Sequence, residues 1–186
     1  LFYGDTDTNP ERFMGLAPRF NSYQTTDDLL SSYNVIHGGG DGDDNTSIWG
    51  VVWGPNTVQA LYPKGSVAGI TFEDLGKQEI SDGAGGRMTV MESKYQWDIG
   101  LTVMDWRAVC RIANLDASAL VANAGAADLF NKLTHLYDRL EDSMPLGRAA
   151  IYCNRTVLTA LDIQAQAKTN INLTYADYQG KRVLMY

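Results

Sequence analysis

Two cysteines and two histidines are the residues of this 186-residue chain that could support nucleophilic catalysis. A thiol becomes an effective nucleophile when a histidine takes its proton and a carboxylate orients that histidine. Nothing in the sequence spacing brings Cys110 or Cys153 together with His37 or His135, and His135 lies on the charged side of a predicted helix. We interpret both cysteines as small buried apolar residues of a reducing compartment. A small cysteine-dependent enzyme is an alternative that we do not favour.

An acidic loop at residues 37–47, HGGGDGDDNTS, has the oxygen-bearing side chains that a calcium ion requires. These side chains belong to Asp41, Asp43, Asp44 and Asn45. The loop lacks the glycine that follows the third ligand of a calcium loop, and Val52 stands where the twelfth-position glutamate would be. We predict an exposed, mobile acidic loop without a metal.

The remaining polar motifs indicate structural roles and no catalytic or binding role. The glycine-rich segments YPKGSVAG and SDGAGGR do not have the order of a phosphate-binding loop, and we interpret both as turns. Asp105, Arg107 and Arg111 surround Trp106 and predict an ion-pair cluster with a structural or subunit-interface role. The four tryptophans are predicted to be core or interface anchors. The sequence therefore predicts no catalytic residue, no metal ligand and no cofactor site.

Composition supports a folded protein without a dedicated nucleic-acid surface. The chain is 45% hydrophobic and carries a net charge of −7, whereas phosphate binding needs clustered lysine and arginine. No segment has the roughly 20 consecutive apolar residues that cross a bilayer, and no signal peptide opens the sequence. The chain starts at Leu1 without methionine and ends in the apolar run RVLMY, so we expect it to be part of a longer protein.

The first two thirds of the sequence predict loops and strands. Residues 1–40 are irregular and are expected to lie over a core. Residues 48–53 and 57–62 predict a hairpin, with a bulge at Gly50. Residues 95–115 begin with alternating apolar side chains, which predicts a half-buried strand over residues 95–112 paired with residues 88–93.

The last third predicts helices alternating with short strands. A helix is expected after Asp116 as N-cap, with Leu129, Leu133, Leu136, Tyr137 and Leu140 on one face, ending near Pro145. A buried strand at residues 149–152 precedes a helix at residues 155–167 that Asn154 can cap. The segments INLT and KRVLMY predict two closing strands. This order of elements indicates the α+β class.

Four segments carry a resemblance to a known family. They are GDTDTNPERFMGLAPRF, SIWGVVWGPNTVQALYPKG, YQWDIGLTVMDWRAVCRIANL and GRAAIYCNRTVLTALDIQA. The first contains a motif formed by Gly4, Asp5, Pro10, Gly15 and Leu16. With these segments the chain resembles the major capsid proteins of short-tailed bacteriophages, a branch of the Hong Kong 97-type capsid lineage.

The resemblance implies a Hong Kong 97-like capsid fold, of which residues 1–186 would form the axial domain plus part of the peripheral-domain sheet. Residues 1–115 would be a β-rich part with loops and an insertion near residues 71–112. Residues 116–186 would be the helix-strand-helix-strand part of the axial domain. The N-terminal arm, the extended loop and the spine helix would precede Leu1.

The resemblance also implies a function without enzymatic activity. The protein would assemble with itself, as pentamers and hexamers, into an icosahedral shell enclosing phage double-stranded DNA. Scaffolding, decoration and portal proteins would be further partners, DNA would be contacted only non-specifically, and no membrane would be involved. The subunit would be found in the virion, and in the host cytoplasm during assembly. An encapsulin-like compartment shell protein is the alternative with the same fold.

Overall fold

The computed structural model of the protein describes residues 1–23, 30–65, 68–81, 83–167 and 183–185. They divide into two compact units, one formed by Leu1–Gln59 with Leu101–Tyr186 and the other by Ala60–Gly100. The strands are β1 Val35–His37, β2 Asn45–Trp53, β3 Val58–Leu61, β4 Thr71–Ser81, β5 Arg87–Gln96, β6 Gly100–Val103, β7 Val109–Asp116, β8 Arg148–Cys153 and β9 Val183–Met185. The helices are α1 Ala117–Ala122, α2 Leu129–Leu140 and α3 Arg155–Ala167, with 3-10 helices at Leu30–Asn34, Trp106–Ala108 and Glu141–Leu146. The α+β class is confirmed.

Strand β2 is the centre of the larger sheet, because it pairs antiparallel with β7 along one edge and with β8 along the other. β1 joins β7 and β9 joins β8, both in the parallel sense. Six consecutive residues of β2, from Ser47 to Val52, are buried. A strand that is buried on both faces reads as a continuous apolar run instead of an alternating one.

One face of this sheet is covered by α2. A Cβ placed on Gly50 of β2 would lie 2.6 Å from Leu140 Cδ1 and 2.7 Å from Leu136 Cδ2, so the missing side chain leaves room for the helix. The predicted bulge at Gly50 is wrong. The irregularity in β2 lies between Thr46 and Ile48, and Gly50 serves close packing of helix on strand.

The opposite face is covered by the N-terminal segment. Trp49 precedes Gly50 and therefore points to the other side of the sheet, where its ring centroid lies 5.6 Å from that of Phe2. Phe2, Leu16 and Phe20 are buried although residues 1–23 contain no helix or strand. The prediction of an irregular segment lying over a core is confirmed for residues 1–23 but wrong for residues 30–37, which form a 3-10 helix and β1, because β7 supplies a parallel partner for Val35–His37.

The last third of the chain contains the predicted helices, except that the helix predicted after Asp116 is interrupted. Asp116 caps α1 by accepting a hydrogen bond from the Ala119 amide at 2.8 Å, and Asp128 caps α2 through the Asn131 amide at 3.2 Å. The single helix predicted after Asp116 is thus two helices separated by residues 123–128. Gly125 lies in this break, where glycine is a poor helix former. All five apolar residues predicted for one face of α2 are buried.

Strand β8 and helix α3 match their predicted positions. Asn154 Oδ1 accepts a hydrogen bond from the Val157 amide at 2.8 Å, which is the predicted N-cap. Strand β9 corresponds to part of the segment KRVLMY. The segment INLT lies outside the described residues.

The long strand predicted over residues 95–112 is wrong. The chain forms the end of β5, then β6, then a 3-10 helix capped by Asp105, and then β7. Tyr95 and Trp97 are exposed, whereas Leu101 is buried, so the alternating apolar residues belong to different elements. The partner of β5 is β4, and the segment SDGAGGR includes the connection between them.

The predicted hairpin of residues 48–53 and 57–62 is also wrong, although both strands exist. Strands β2 and β3 meet only at Trp53 and Val58, in the parallel sense. The physical reason is that β7 and β8 occupy both edges of β2 along most of its length.

Candidate functional site

The N-terminal motif closes a loop in which two backbone segments lie in close contact. The Gly15 amide donates to the Gly4 carbonyl at 2.8 Å, and the Ala17 amide donates to the Phe2 carbonyl at 2.7 Å. A Cβ on Gly15 would lie 2.6 Å from the Phe2 carbonyl oxygen and 2.7 Å from that of Leu1. These neighbours are backbone atoms that cannot rotate away. The motif glycine is therefore required by the close approach of two chain segments.

Asp5 stabilises the turn inside this loop. Its Oδ1 accepts from the Asp7 amide at 3.0 Å, and its Oδ2 accepts from the Thr8 hydroxyl at 2.9 Å. These hydrogen bonds, that of the Asp7 amide first, lower the pKa of Asp5. Leu16 is fully buried, whereas Pro10 is exposed. The motif thus fixes the conformation of the segment that covers the sheet.

Arg111 holds the loop and the sheet together. Its guanidinium lies over the Trp49 ring, 4.8 Å from the centroid, and donates to the Phe20 carbonyl at 2.8 Å. It also donates to the Ser47 hydroxyl from Nε and Nη2. The predicted cluster of Asp105, Arg107 and Arg111 is therefore only partly correct. Asp105 and Arg107 form an ion pair at 2.9 Å, whose hydrogen bond lowers the pKa of Asp105.

A cluster of aromatic rings packed on β2 and β8 was not predicted from the sequence. Trp49 and Tyr152 are register partners, and both rings contact Phe2, at 5.6 and 5.2 Å between centroids. Tyr152 also accepts a hydrogen bond from Trp53 Nε1 at 2.8 Å. The sequence signal was weak, because pairing of residues so far apart cannot be read from a single chain.

The tryptophans have different environments. Trp49 is fully buried and Trp53 and Trp106 are half-buried, as expected for anchors, but Trp97 is 56% exposed. The exposed tryptophan belongs to the unit Ala60–Gly100.

Both cysteines are buried, in environments that do not suit a catalytic nucleophile. Cys110 and Cys153 are free and belong to the hydrophobic core. Burial raises the pKa of Cys110 to about 12 and that of Cys153 to about 11. A thiol with so high a pKa is almost entirely protonated at neutral pH and is a poor nucleophile.

Neither histidine approaches the arrangement that a cysteine nucleophile needs. His37 Nδ1 accepts a hydrogen bond from the Gly39 amide at 2.8 Å, and its ring lies 4.8 Å from that of Tyr23. His135 is exposed on α2, as predicted. The described parts of the chain show no hydrogen bond between either histidine and a thiol.

The acidic loop is tied to the start of α1. Asn45 Nδ2 donates to the Gly42 carbonyl at 2.6 Å, and Ser118 donates to Asp44 and Asp116 at 3.3 and 2.9 Å. Hydrogen bonds to the Asp116 carboxylate, from the Ala119 amide first and then from the Ser118 hydroxyl, lower the pKa of Asp116. Within residues 1–23, 30–65, 68–81, 83–167 and 183–185, no group of three or more histidine, cysteine or acidic side chains could hold a metal ion. No helix in these ranges is long and apolar enough to span a bilayer.

Comparison with known protein families gives a match over the entire chain. A sequence model of the family described as major capsid protein GP7 matches residues 1–186. The chain belongs to the major capsid protein GP7 family. The resemblance to phage capsid proteins, stated above from four sequence segments, is thereby confirmed.

A solved structure supports the same conclusion. The chain is similar to a chain in the near-atomic-resolution structure of bacteriophage Epsilon15 derived from cryo-EM and modelling, with 29% sequence identity and a TM-score of 0.66. The match covers 99% of this chain and 58% of the Epsilon15 chain, so this sequence spans little more than half of that protein. The Hong Kong 97-like fold is confirmed. No curated protein sequence matches the chain.

Proposed function

We propose that the chain is part of the major capsid subunit of a short-tailed bacteriophage, and that the whole subunit assembles with copies of itself into an icosahedral shell enclosing double-stranded DNA. The family match over residues 1–186 carries this proposal. Because the chain spans 58% of the related Epsilon15 chain, shell formation is proposed for the complete protein. Pentamers and hexamers would be the building units. The work of such a protein is done by surfaces that recur in every copy, so that weak contacts become stable through their number.

We infer the same division of the chain as the resemblance implies. Residues 1–115 would form the β-rich part and residues 116–186 the helix-strand-helix-strand part of the axial domain. The insertion near residues 71–112 is supported by the compact unit Ala60–Gly100, which overlaps it. Part of the peripheral sheet would be included, and β8 with β9 is the candidate for it.

The absence of enzymatic activity is part of this proposal. The two buried thiols with raised pKa values favour a structural role over a cysteine-dependent enzyme. The net charge of −7 disfavours a dedicated DNA-binding surface on this part of the subunit, so contact with the packaged DNA is proposed to be non-specific. Scaffolding, decoration and portal proteins are proposed partners, and assembly is proposed to occur in the host cytoplasm.

The GP7 family match favours a phage capsid over an encapsulin-like compartment.

Negative-stain electron microscopy of the complete parent protein, expressed alone, tests this function. We expect closed shells, or rings of five and six subunits. Shells loaded with a host enzyme would instead indicate a compartment protein. Uniform small particles at several salt concentrations and with added crowding agent would contradict shell formation.

A further inference from the structure

The unit Ala60–Gly100 contains a long two-stranded ribbon without a buried core. Strands β4 and β5 pair antiparallel from Thr71 with Gln96 to Ser81 with Arg87. None of the described residues of this unit is buried. Ten of the eighteen exposed large apolar side chains in the described residues lie here, in less than a quarter of the sequence. An isolated two-stranded hairpin is marginally stable in water, so the ribbon needs a covering partner.

The pairing register divides these side chains into two patches. Residues directly opposite each other point to the same face, and neighbours along a strand point to opposite faces. The first, the base patch, consists of Phe72, Met91 and Tyr95, with Phe72 and Tyr95 paired and their ring centroids 5.0 Å apart. Their exposed fractions are 59%, 71% and 70%.

The second patch lies on the other face, toward the connection of the strands. This tip patch consists of Ile80, Met88 and Val90, with Ile80 paired to Met88. Between the patches the register shifts at Leu75, and Gly76 has a φ of 68°. Such a bulge increases the local twist of a ribbon. Polar pairs fill the rest of both faces, including Glu73 opposite Lys94 and the exposed ion pair of Glu79 with Arg87 at 3.8 Å.

We propose that the β4–β5 ribbon docks on a second copy of this protein and gains there the core that the described residues do not supply. This inference rests on the proposed shell function and names one surface that performs it. A second copy is the partner that the proposed shell places beside every subunit. Because the base patch and the tip patch lie on opposite faces of the ribbon, both are covered when the ribbon inserts between two elements of the neighbouring copy.

The size of the ribbon agrees with a specific interface. Strand β4 has 11 residues, which corresponds to a length of about 37 Å. With a width of roughly 10 Å for two strands and their side chains, the two faces offer on the order of 700 Å². A standard interface buries about 800 Å² per partner, more than most crystal-packing contacts. The ribbon could therefore supply most of one stable contact.

Thiol labelling of the complete parent protein tests the contact directly. Met91→Cys places a thiol in the base patch, and Val121→Cys places one outside the ribbon, at a position of the other unit that is 75% exposed. The parent without either substitution gives the background rate, to which the buried Cys110 and Cys153 contribute little. In purified shells formed from this protein alone, we expect labelling of Met91→Cys to slow at least about tenfold relative to dissociated subunits. Labelling of Val121→Cys should slow much less.

Unchanged labelling of Met91→Cys in shells would overturn the proposal, and so would equal slowing at both positions, which would indicate general loss of access. Protection already present in dissociated subunits would place the partner within the same chain and would also overturn it. If the parent forms no shells, the proposed function fails first, and that outcome is visible by microscopy before any labelling.

A second experiment removes the base patch. Phe72→Ser with Tyr95→Ser should reduce shell yield at least about tenfold, since interface aromatics commonly carry most of the binding energy. The matched control is Val121→Ser with Ile163→Ser, which removes exposed apolar side chains of the other unit. Thermal unfolding of dissociated subunits checks that both variants fold. Normal shells from the ribbon variant, or an equal loss in the control, would contradict docking through this patch.

Discussion

The Arg111 guanidinium lies 4.8 Å from the centroid of the Trp49 ring and at the same time donates to the Phe20 carbonyl. One side chain therefore joins β7, β2 and the N-terminal segment. Cation–π contact and charge-assisted hydrogen bonds act together here, in a site that is largely withdrawn from water. The irregular N-terminal segment is thus attached to the sheet through Arg111 as well as through its buried apolar side chains.

Replacement of Arg111 should detach the N-terminal segment in part. We expect Arg111→Ala to lower the free energy of unfolding by about 2 kcal/mol, because hydrogen bonds to a charged group are lost and the Phe20 carbonyl is left without that donor. Arg111→Lys should recover little of this, since an ammonium cannot reproduce the planar fork of the guanidinium. Urea unfolding followed by tryptophan fluorescence measures both. Arg107→Ala, at an exposed ion pair, is the control and should cost much less, because exposed ion pairs contribute little to stability. Equal costs at both arginines would contradict this account.

Gly15 should tolerate no side chain. In Gly15→Ala the new methyl would meet two backbone carbonyl oxygens at 2.6 and 2.7 Å, so the loop has to open. We expect a loss of roughly 1–3 kcal/mol in unfolding free energy, in the range of overpacking in a rigid site. Gly100→Ala is the matched control, because its Cβ would meet only Leu61 atoms at 3.9 Å. Thermal unfolding should place the Gly15 variant well below the control. Similar midpoints for the two would show that the loop adapts.

Acid should weaken the start of α1. Hydrogen bonds to the ionised Asp116 carboxylate lower its pKa from 3.8 in the folded chain. A carboxyl with a depressed folded pKa stabilises the protein above its unfolded pKa, and that stabilisation is lost as pH falls through the folded pKa. Asp116→Asn keeps a capping oxygen but does not titrate. Its unfolding temperature should therefore fall less steeply than that of the unsubstituted protein between about pH 4 and pH 2. Parallel pH curves would exclude Asp116 as a contributor.

The cysteines should be inert in the folded protein. With pKa values of about 12 and about 11, Cys110 and Cys153 are almost entirely protonated at pH 8, and burial also blocks reagents. We expect an aromatic disulfide reagent to modify neither thiol at neutral pH and both after unfolding in guanidinium chloride. The absorbance of the aromatic thiolate that the reagent releases gives the number of modified cysteines. Rapid modification of one thiol in the folded state would reopen the cysteine-enzyme alternative.

Sequence reasoning succeeded where a structure is specified locally. The apolar spacing from Leu129 to Leu140 identified α2, and Asn154 identified the start of α3, because helix periodicity and capping involve residues within a few positions of one another. Family resemblance supplied the fold and the capsid assignment, which composition and spacing could not supply.

The failures concern contacts between distant parts of the chain. The register of β2 with β7 and β8 depends on residues far away, whereas the sequence alone favours the nearby strand β3 as the partner of β2. The ribbon strand β4 gave little signal, because a strand exposed on both faces has no alternating pattern. A glycine inside a strand favours a bulge at Gly50, because nothing in the sequence shows that Leu136 and Leu140 pack against that position. Arg111 was grouped with its sequence neighbours for the same reason.

The position of β2 between β7 and β8 also constrains the order in which the sheet can form. Trp53 on β2 and Tyr152 on β8 are joined by a hydrogen bond across a separation of 99 residues. Contacts of such sequence separation slow folding, because the loop must close before the contact is gained. During synthesis, β2 and β7 are complete while the edge that awaits β8 is still bare. A nascent chain therefore exposes an unsatisfied strand edge until β8 emerges, and this interval is when pairing with another chain competes most strongly with correct folding.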